Sequence, residues 1–159
     1  MKLYFLRHGL ASDRAEWKGS DAERPLTDEG KERMERSAAL MVEFGLRPDV
    51  IITSPLTRAH QTASIVASKL QAKDKLVVDI RLGLSFGKES LAGILRDHAD
   101  SESVMLVGHE PGMSETISAL IGGGRIVFKK GGLACVKLTE ATSLKGSLLW
   151  LVPPRLLAP

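Results

Sequence analysis

The sequence predicts a single-domain, three-layer α/β/α sandwich over residues 1–159, with a mostly parallel sheet that contains one antiparallel strand. Three observations carry this. Short apolar or β-branched runs alternate with stretches of helical periodicity, which is the order of a sheet covered on both faces. The length fits one domain with a proper core. Near the C-terminus the runs follow one another at hairpin spacing, which sets one strand against the rest.

The first run, Leu3-Tyr4-Phe5-Leu6, reads as a buried strand and stops at Arg7-His8-Gly9. Packing does not ask for a basic pair and a glycine at a strand end. In open α/β sheets, however, ligands bind at the carboxyl ends of strands. The polar segment from Leu10 to Pro25 is a long surface loop, with a short helical turn around Ala15-Glu16-Trp17 and Trp17 packed down. Loops of that length are often functional. Leu26-Thr27-Asp28-Glu29-Gly30 opens the first long helix, with Thr27 as N-cap and two carboxylates in the first turn, where the helix dipole favours them. Met34, Ala38, Leu40 and Met41 mark its apolar residues, and Gly45 ends it.

Val50-Ile51-Ile52-Thr53 is the second strand, broken by Ser54-Pro55. Thr57 can cap a helix from about Arg58 to Leu70. Leu76-Val77-Val78 is a third strand, Arg81 to Gly87 a loop, and Glu89 to His98 a helix with Leu91, Ile94 and Leu95 inward. Val104 to Val107 is the fourth strand, ended by Gly108-His109-Glu110-Pro111-Gly112. Pro111 suits the first turn of the next helix, which Gly122-Gly123-Gly124 terminates. Ile126 to Phe128, Leu133 to Leu138 and Ser147 to Val152 read as shorter strands, with turns at Lys130-Gly131-Gly132 and Lys145-Gly146. Pro153-Pro154 ends the ordered part.

Composition excludes several classes. A net charge of +3 is mildly basic, but Lys and Arg are scattered and aromatics make up only 4%, so the signature of a nucleic-acid binder is missing. No apolar run approaches the roughly 18 residues of a membrane span, and the N-terminus lacks the regions of a signal peptide. The single Cys135 sits among apolar residues as a small buried side chain. One idle thiol fits a reducing compartment, so the expected location is cytoplasmic, with neither nucleic acid nor membrane as a partner.

Three strand ends carry chemistry: Arg7-His8-Gly9, Ser54-Pro55-Leu56-Thr57-Arg58 and Gly108-His109-Glu110. A parallel sheet puts them on one edge, where two arginines and two histidines converge. Guanidinium groups bond phosphate oxygens bidentately and neutralise them during phosphoryl transfer. One imidazole can act as nucleophile and the other can donate to the transferring group. Nearby guanidinium charges would hold His8 neutral near pH 7. One of its ring nitrogens would have to donate, most simply to a backbone carbonyl, to aim the other lone pair at phosphorus. The sequence has no carboxylate cluster or His-x-x-x-His for a metal, so the arginines must supply the charge.

These residues resemble the histidine phosphatase (phosphoglycerate mutase-like) superfamily. The resemblance rests on Leu6-Arg7-His8-Gly9, on Ser54 to Ala63 (SPLTRAHQTA) and on Val107-Gly108-His109-Glu110-Pro111-Gly112. Arg24 to Gly30 (RPLTDEG), Gly108-His109-Glu110-Pro111 and Phe128-Lys129-Lys130-Gly131 are similar to SixA-type phosphohistidine phosphatases. The resemblance implies that His8 is the phosphorylated nucleophile. It implies that Arg7, Arg58 and His109 form a phosphate pocket beside Gly9, and that neither metal nor organic cofactor is used. Larger relatives place a Glu or Asp after the third strand as general acid for an alkoxide leaving group. Here Ile80 to Gly87 holds no carboxylate, and Asp79 and Glu89 only flank it.

A phosphoramidate has a weak P–N bond and needs little help from an acid. The expected function is therefore removal of a phosphoryl group from phosphohistidine on a protein, such as a phosphotransfer domain. The alternatives are a phosphatase of small phosphate esters and a phospho-recognition module without turnover. A mutase fits less well, since it needs a lid and an acid. Among the remaining candidates, His60 reads as a surface or packing residue and His98 as a helix-end partner of the dipole. Glu110 reads as a cap or a partner of His109, and Arg24 as an anion ligand or a loop salt bridge.

Overall fold

The computed structural model describes residues 1–140 and 142–158, and of Glu140 only the backbone. Its strands are β1 (Lys2–Arg7), β2 (Val50–Thr53), β3 (Leu76–Val78), β4 (Ser103–Gly108), β5 (Leu133–Glu140) and β6 (Lys145–Val152). The helices are α1 (Asp28–Glu43), α2 (Thr57–Lys69), α3 (Lys88–Asp97), α4 (Gly112–Leu120) and α5 (Pro154–Leu157). The strands form one six-stranded sheet in the order β3-β2-β4-β1-β5-β6. β1 to β4 are mutually parallel, and β5 pairs antiparallel with both β1 and β6, so β5 alone runs against the rest.

Successive side chains of a strand point to opposite faces, which explains why β1 is apolar throughout. Leu3 and Phe5 pack with Val104, Leu106, Leu91, Ile94 and Ile117 on the face that α3 and α4 cover. Tyr4 and Leu6 pack with Met105, Val107, Met34, Met41 and Val66 on the face of α1 and α2. Cys135 belongs to this second layer and is buried. Among the described residues no helix is long and apolar enough to cross a membrane.

Local signals account for most element ends. The Thr27 hydroxyl accepts from the Gly30 N–H at 2.9 Å and caps α1, and Gly45 takes the left-handed conformation past its end. Gly122, Gly123 and Gly124 all have positive φ after α4.

Four expectations need correction. Thr57 is the first residue of α2 and Leu56 its N-cap, without a side-chain cap. Ile126 to Phe128 is not a strand, because the Phe128 carbonyl is drawn to the Arg7 guanidinium instead of a neighbouring strand. The β5–β6 turn lies at 142–144 rather than at Lys145-Gly146. Gly146 is inside β6, where a Cβ would come within 2.7 Å of the Lys137 carbonyl, so its glycine answers a close approach and not a turn. Finally, Pro153-Pro154 does not end the ordered chain. Pro154 opens α5, and Leu157 is fully buried in the α1 layer.

The first turn of α1 is locked to the loop that leaves β1. The Thr27 N–H donates to the Leu10 carbonyl at 3.0 Å, and a Cβ on Gly30 would lie 2.0 Å from that same oxygen. Gly30→Ala should lower stability by about 1–3 kcal/mol, the usual cost of overpacking where backbone must move. Urea denaturation would read this as a lower midpoint. An unchanged midpoint would contradict the contact.

Candidate active site

Strand register places the site. Arg7 lies opposite Gly108, and Thr53 lies opposite Val107, so β1, β4 and β2 end level with one another. The backbone stitches these ends together beyond the sheet. The His8 N–H donates to the Gly108 carbonyl at 3.1 Å, and the Ser54 N–H donates to that of Val107 at 3.0 Å. The Gly131 N–H, in a positive-φ turn, lies 3.1 and 3.0 Å from the Arg7 and His8 carbonyls. Arg7, His8, Ser54 and His109 therefore meet at one edge, and Arg58 reaches it from the first turn of α2.

His8 is only 4% exposed. Its Nδ1 lies 2.8 Å from the Gly9 carbonyl, which can only accept, so Nδ1 carries the proton and Nε2 keeps a free lone pair. Burial pushes the His8 pKa down to about 3, opposed by the Gly9 bond and reinforced by His109, Arg58 and Arg7. The arginine field expected from the sequence is present, but desolvation is the larger cause. The Gly9 peptide is itself held, because its N–H donates to the Thr62 hydroxyl at 3.1 Å and that hydroxyl donates to the Arg58 carbonyl at 2.7 Å. Thr62 thus fixes the peptide that orients the His8 ring.

Arg58 is 3% exposed. Its Nη1 donates to the Asp21 backbone carbonyl at 2.7 Å and its Nη2 to the Asp21 carboxylate at 3.1 Å. Asp21 also receives Arg24 Nε at 3.0 Å, while Arg24 Nη1 donates to the Ser12 carbonyl. Burial raises the Asp21 pKa, but the Arg24 hydrogen bond and the Arg58 charge outweigh it and hold the carboxyl below its usual range. Arg7 donates from Nη1 to the Phe128 carbonyl at 2.8 Å. Burial lowers the pKa of both arginines. In each, Nε is buried and has no hydrogen-bond partner within the protein.

His109, 3% exposed, completes the set; its ring centroid is 5.2 Å from that of His8. His109 Nε2 lies 2.8 Å from the Ser54 hydroxyl, which accepts from the Leu56 N–H at 3.2 Å. The hydroxyl has one proton to give, and in the tautomer where Nε2 accepts it, Nδ1–H is the donor. That Nδ1 is buried and unpartnered. Burial, with Arg58 next, pushes the His109 pKa down to about 4, so the ring is neutral at pH 7.

Two arginine Nε–H groups and one imidazole N–H thus lack partners at a single edge. Buried donors rarely go unpaired, so these three atoms mark the edge as a place for an acceptor. The free lone pair on His8 Nε2 lies at the same strand-end edge.

The structure brings His8, Arg7, Arg58, His109 and Gly9 together and leaves other candidates apart. His60 is exposed on α2, and His98 is the C-cap of α3. The Glu110 carboxylate accepts from the Ser114 N–H and hydroxyl, inside the first turn of α4. Arg24 is a loop ion pair with Asp21. Asp79 accepts from the Arg81 backbone and guanidinium, which holds its carboxyl below the usual range. Glu89 is exposed. Among the described residues no group of three or more His, Cys, Asp or Glu could hold a metal ion. Sequence reasoning missed Asp21, Ser54 and Thr62 as positioning groups. Only the length of the Leu10–Pro25 loop hinted at the first.

Comparisons agree with this geometry. Residues 3–85 match the histidine phosphatase superfamily (branch 1). An uncharacterized protein of Picosynechococcus sp. is 37% identical over 138 residues, covering 84% of this chain and 82% of its own length. A 2,3-bisphosphoglycerate-dependent phosphoglycerate mutase of Arthrobacter sp. is 38% identical over 73 residues, covering 43% of this chain but only 28% of the mutase. The solved structure of the protein histidine phosphatase SixA complexed with tungstate superposes at a TM-score of 0.88, with 25% identity and 99% of each chain covered. Strand-end chemistry, sheet order and these likenesses converge, and the chain belongs to the histidine phosphatase superfamily, with the architecture of its SixA type.

Proposed function

We propose that this protein is a phosphatase that removes the phosphoryl group from phosphohistidine on a protein, through a phosphohistidine formed on its own His8. The neutral Nε2 of His8 attacks phosphorus, the Nε2–P bond forms, and the substrate P–N bond breaks. Its electron pair returns to the leaving imidazole, which takes a proton from solvent. Arg7 and Arg58, through their free Nε–H groups, and His109, through Nδ1–H, hold the phosphoryl oxygens as charge shifts onto them. Gly9 lines the same pocket. Water then attacks phosphorus, the P–Nε2 bond breaks, and inorganic phosphate leaves.

One observation carries the choice of substrate: among the described residues, the carboxylates Asp21, Asp79 and Glu110 each already hold a partner. Asp21 is bound to Arg58 and Arg24, Asp79 to Arg81 and Glu110 to Ser114. An alkoxide leaving group needs a general acid, and such an acid is worth about 100- to 10,000-fold in rate. A phosphoramidate, with its weak P–N bond, needs far less help. The SixA likeness points the same way, since that protein is named a protein histidine phosphatase.

Two outcomes follow. Steady-state assays should give a kcat/KM on a phosphohistidyl phosphotransfer domain at least about 100-fold above that on a panel of phosphate monoesters. Equal or reversed preference would favour the small-ester reading. The second outcome concerns protonation. Folded His8 takes up a proton only near pH 3, whereas the unfolded chain does so near 6.5. His8 therefore costs the fold nothing above 6.5 and destabilises it increasingly as pH falls from there toward 3. In an NMR titration its ring resonances should stay flat, as the Nδ1–H tautomer, from about pH 8 to about pH 5. An inflection near the ordinary histidine value would contradict the burial argument.

A further inference from the structure

Beside the phosphate pocket runs a groove of about 600 Å³ that the reaction does not use. It starts at Gly9 and Leu10, next to His8, and extends away from the strand ends between α1 and the 127–132 loop toward α5. Its floor is apolar, with Met34, Phe128, Leu151 and Pro153 among the lining. Its rim is basic throughout: Arg33 and Arg36 from α1, Lys129 and Lys130 from the loop, and Arg155 from α5. All five are exposed, and among the described residues no Asp or Glu lines the groove. Only Arg33 has an ion-pair partner among the described residues, the neighbouring Glu29.

Like charges gathered on two facing walls repel one another, and among the described residues only the Arg33–Glu29 pair is an ion pair to any of them. Their arrangement favours an anionic occupant. The floor asks in addition for apolar side chains, which a free phosphate or inorganic anion lacks. A protein segment carrying both acidic and apolar side chains meets both demands. The position fits as well, because Gly9 belongs to the groove and also holds the His8 ring, so a docked segment would lie alongside the reacting phosphorus.

We propose that this basic groove docks an acidic, partly apolar segment of the phosphorylated substrate protein and supplies most of its recognition. The inference rests on the phosphohistidine phosphatase reading and adds to it where the protein partner is held.

Arg36 and Arg155 are the residues to test, since neither touches the phosphate pocket. The probes are a phosphotransfer domain of net negative charge and the small compound phosphoramidate. With the R36E/R155E double variant, KM for the phosphorylated domain should rise at least about tenfold with kcat little changed, while phosphoramidate turnover stays at the wild-type rate. R36K/R155K should restore the wild-type KM. Raising the salt concentration should weaken the wild type more than the double variant. A titration of the unphosphorylated domain reads docking without turnover, and the charge-reversed protein should lose affinity by a similar factor. An unchanged KM and an unchanged affinity would overturn the groove proposal while leaving the phosphatase reading intact. Normal docking with no hydrolysis of either phosphorylated probe would overturn the phosphatase reading instead.

Discussion

Two arginines set the terms for the rest of the site: Arg7 at the end of β1, with its Nε buried, and Arg58, buried in the first turn of α2 and paired with Asp21. Burying a cation is costly unless its donors are met and its charge is answered. The fold meets that cost only in part. Asp21 takes two donors of Arg58, the Phe128 carbonyl takes one of Arg7, and both Nε–H groups are left buried and unpaired. What remains is a cluster of positive groups with unpartnered nitrogen atoms at one strand-end edge. Donors of this kind, already in place, would stabilise an anion with several oxygens without reorganising.

The same positive field and the same burial decide the state of the histidines. Both are pushed well below the ordinary value, to about 3 and about 4, so neither adds a further charge at neutral pH. Neutrality makes the hydrogen bonds informative. The Gly9 carbonyl claims the proton of His8 on Nδ1, and the Ser54 hydroxyl claims the lone pair of His109 on Nε2. One ring thereby presents a lone pair and the other, in that tautomer, a donor. The two imidazoles differ in hydrogen-bonding role because their backbone and hydroxyl neighbours differ, not because their own chemistry does.

Much of this was legible in the sequence because it depends on local pattern or on a topology rule. β1 is apolar at every interior position because helices cover both faces, and that pattern reads directly as a buried parallel strand. Arg7-His8 and Gly108-His109 could be placed together because parallel strands end on one edge. Thr27 and Gly45 announced the ends of α1 through capping chemistry. The failures share a different cause, which is long-range contact. Ile126 to Phe128 has strand-like composition, yet Arg7, far away in sequence, claims the Phe128 carbonyl. Gly146 resembles a turn glycine, but its role is set by how closely β5 passes. Pro153-Pro154 looked like an ending, while the buried Leu157 lies beyond it. Asp21 lies in a polar loop, and nothing local distinguishes it from the other acidic residues there. Its contact with Arg58 exists only once the loop is folded over α2.

The central claim is that Nε2 of His8 carries the phosphoryl group between substrate and water. Rapid quench of the protein with a phosphohistidyl domain labelled in its phosphoryl group, followed by mass spectrometry, tests it directly. The account predicts an acid-labile, base-stable phosphoenzyme with the label on His8, formed within the first turnover and absent from His8→Ala along with activity. Full activity in His8→Ala, or label on another residue, would contradict it.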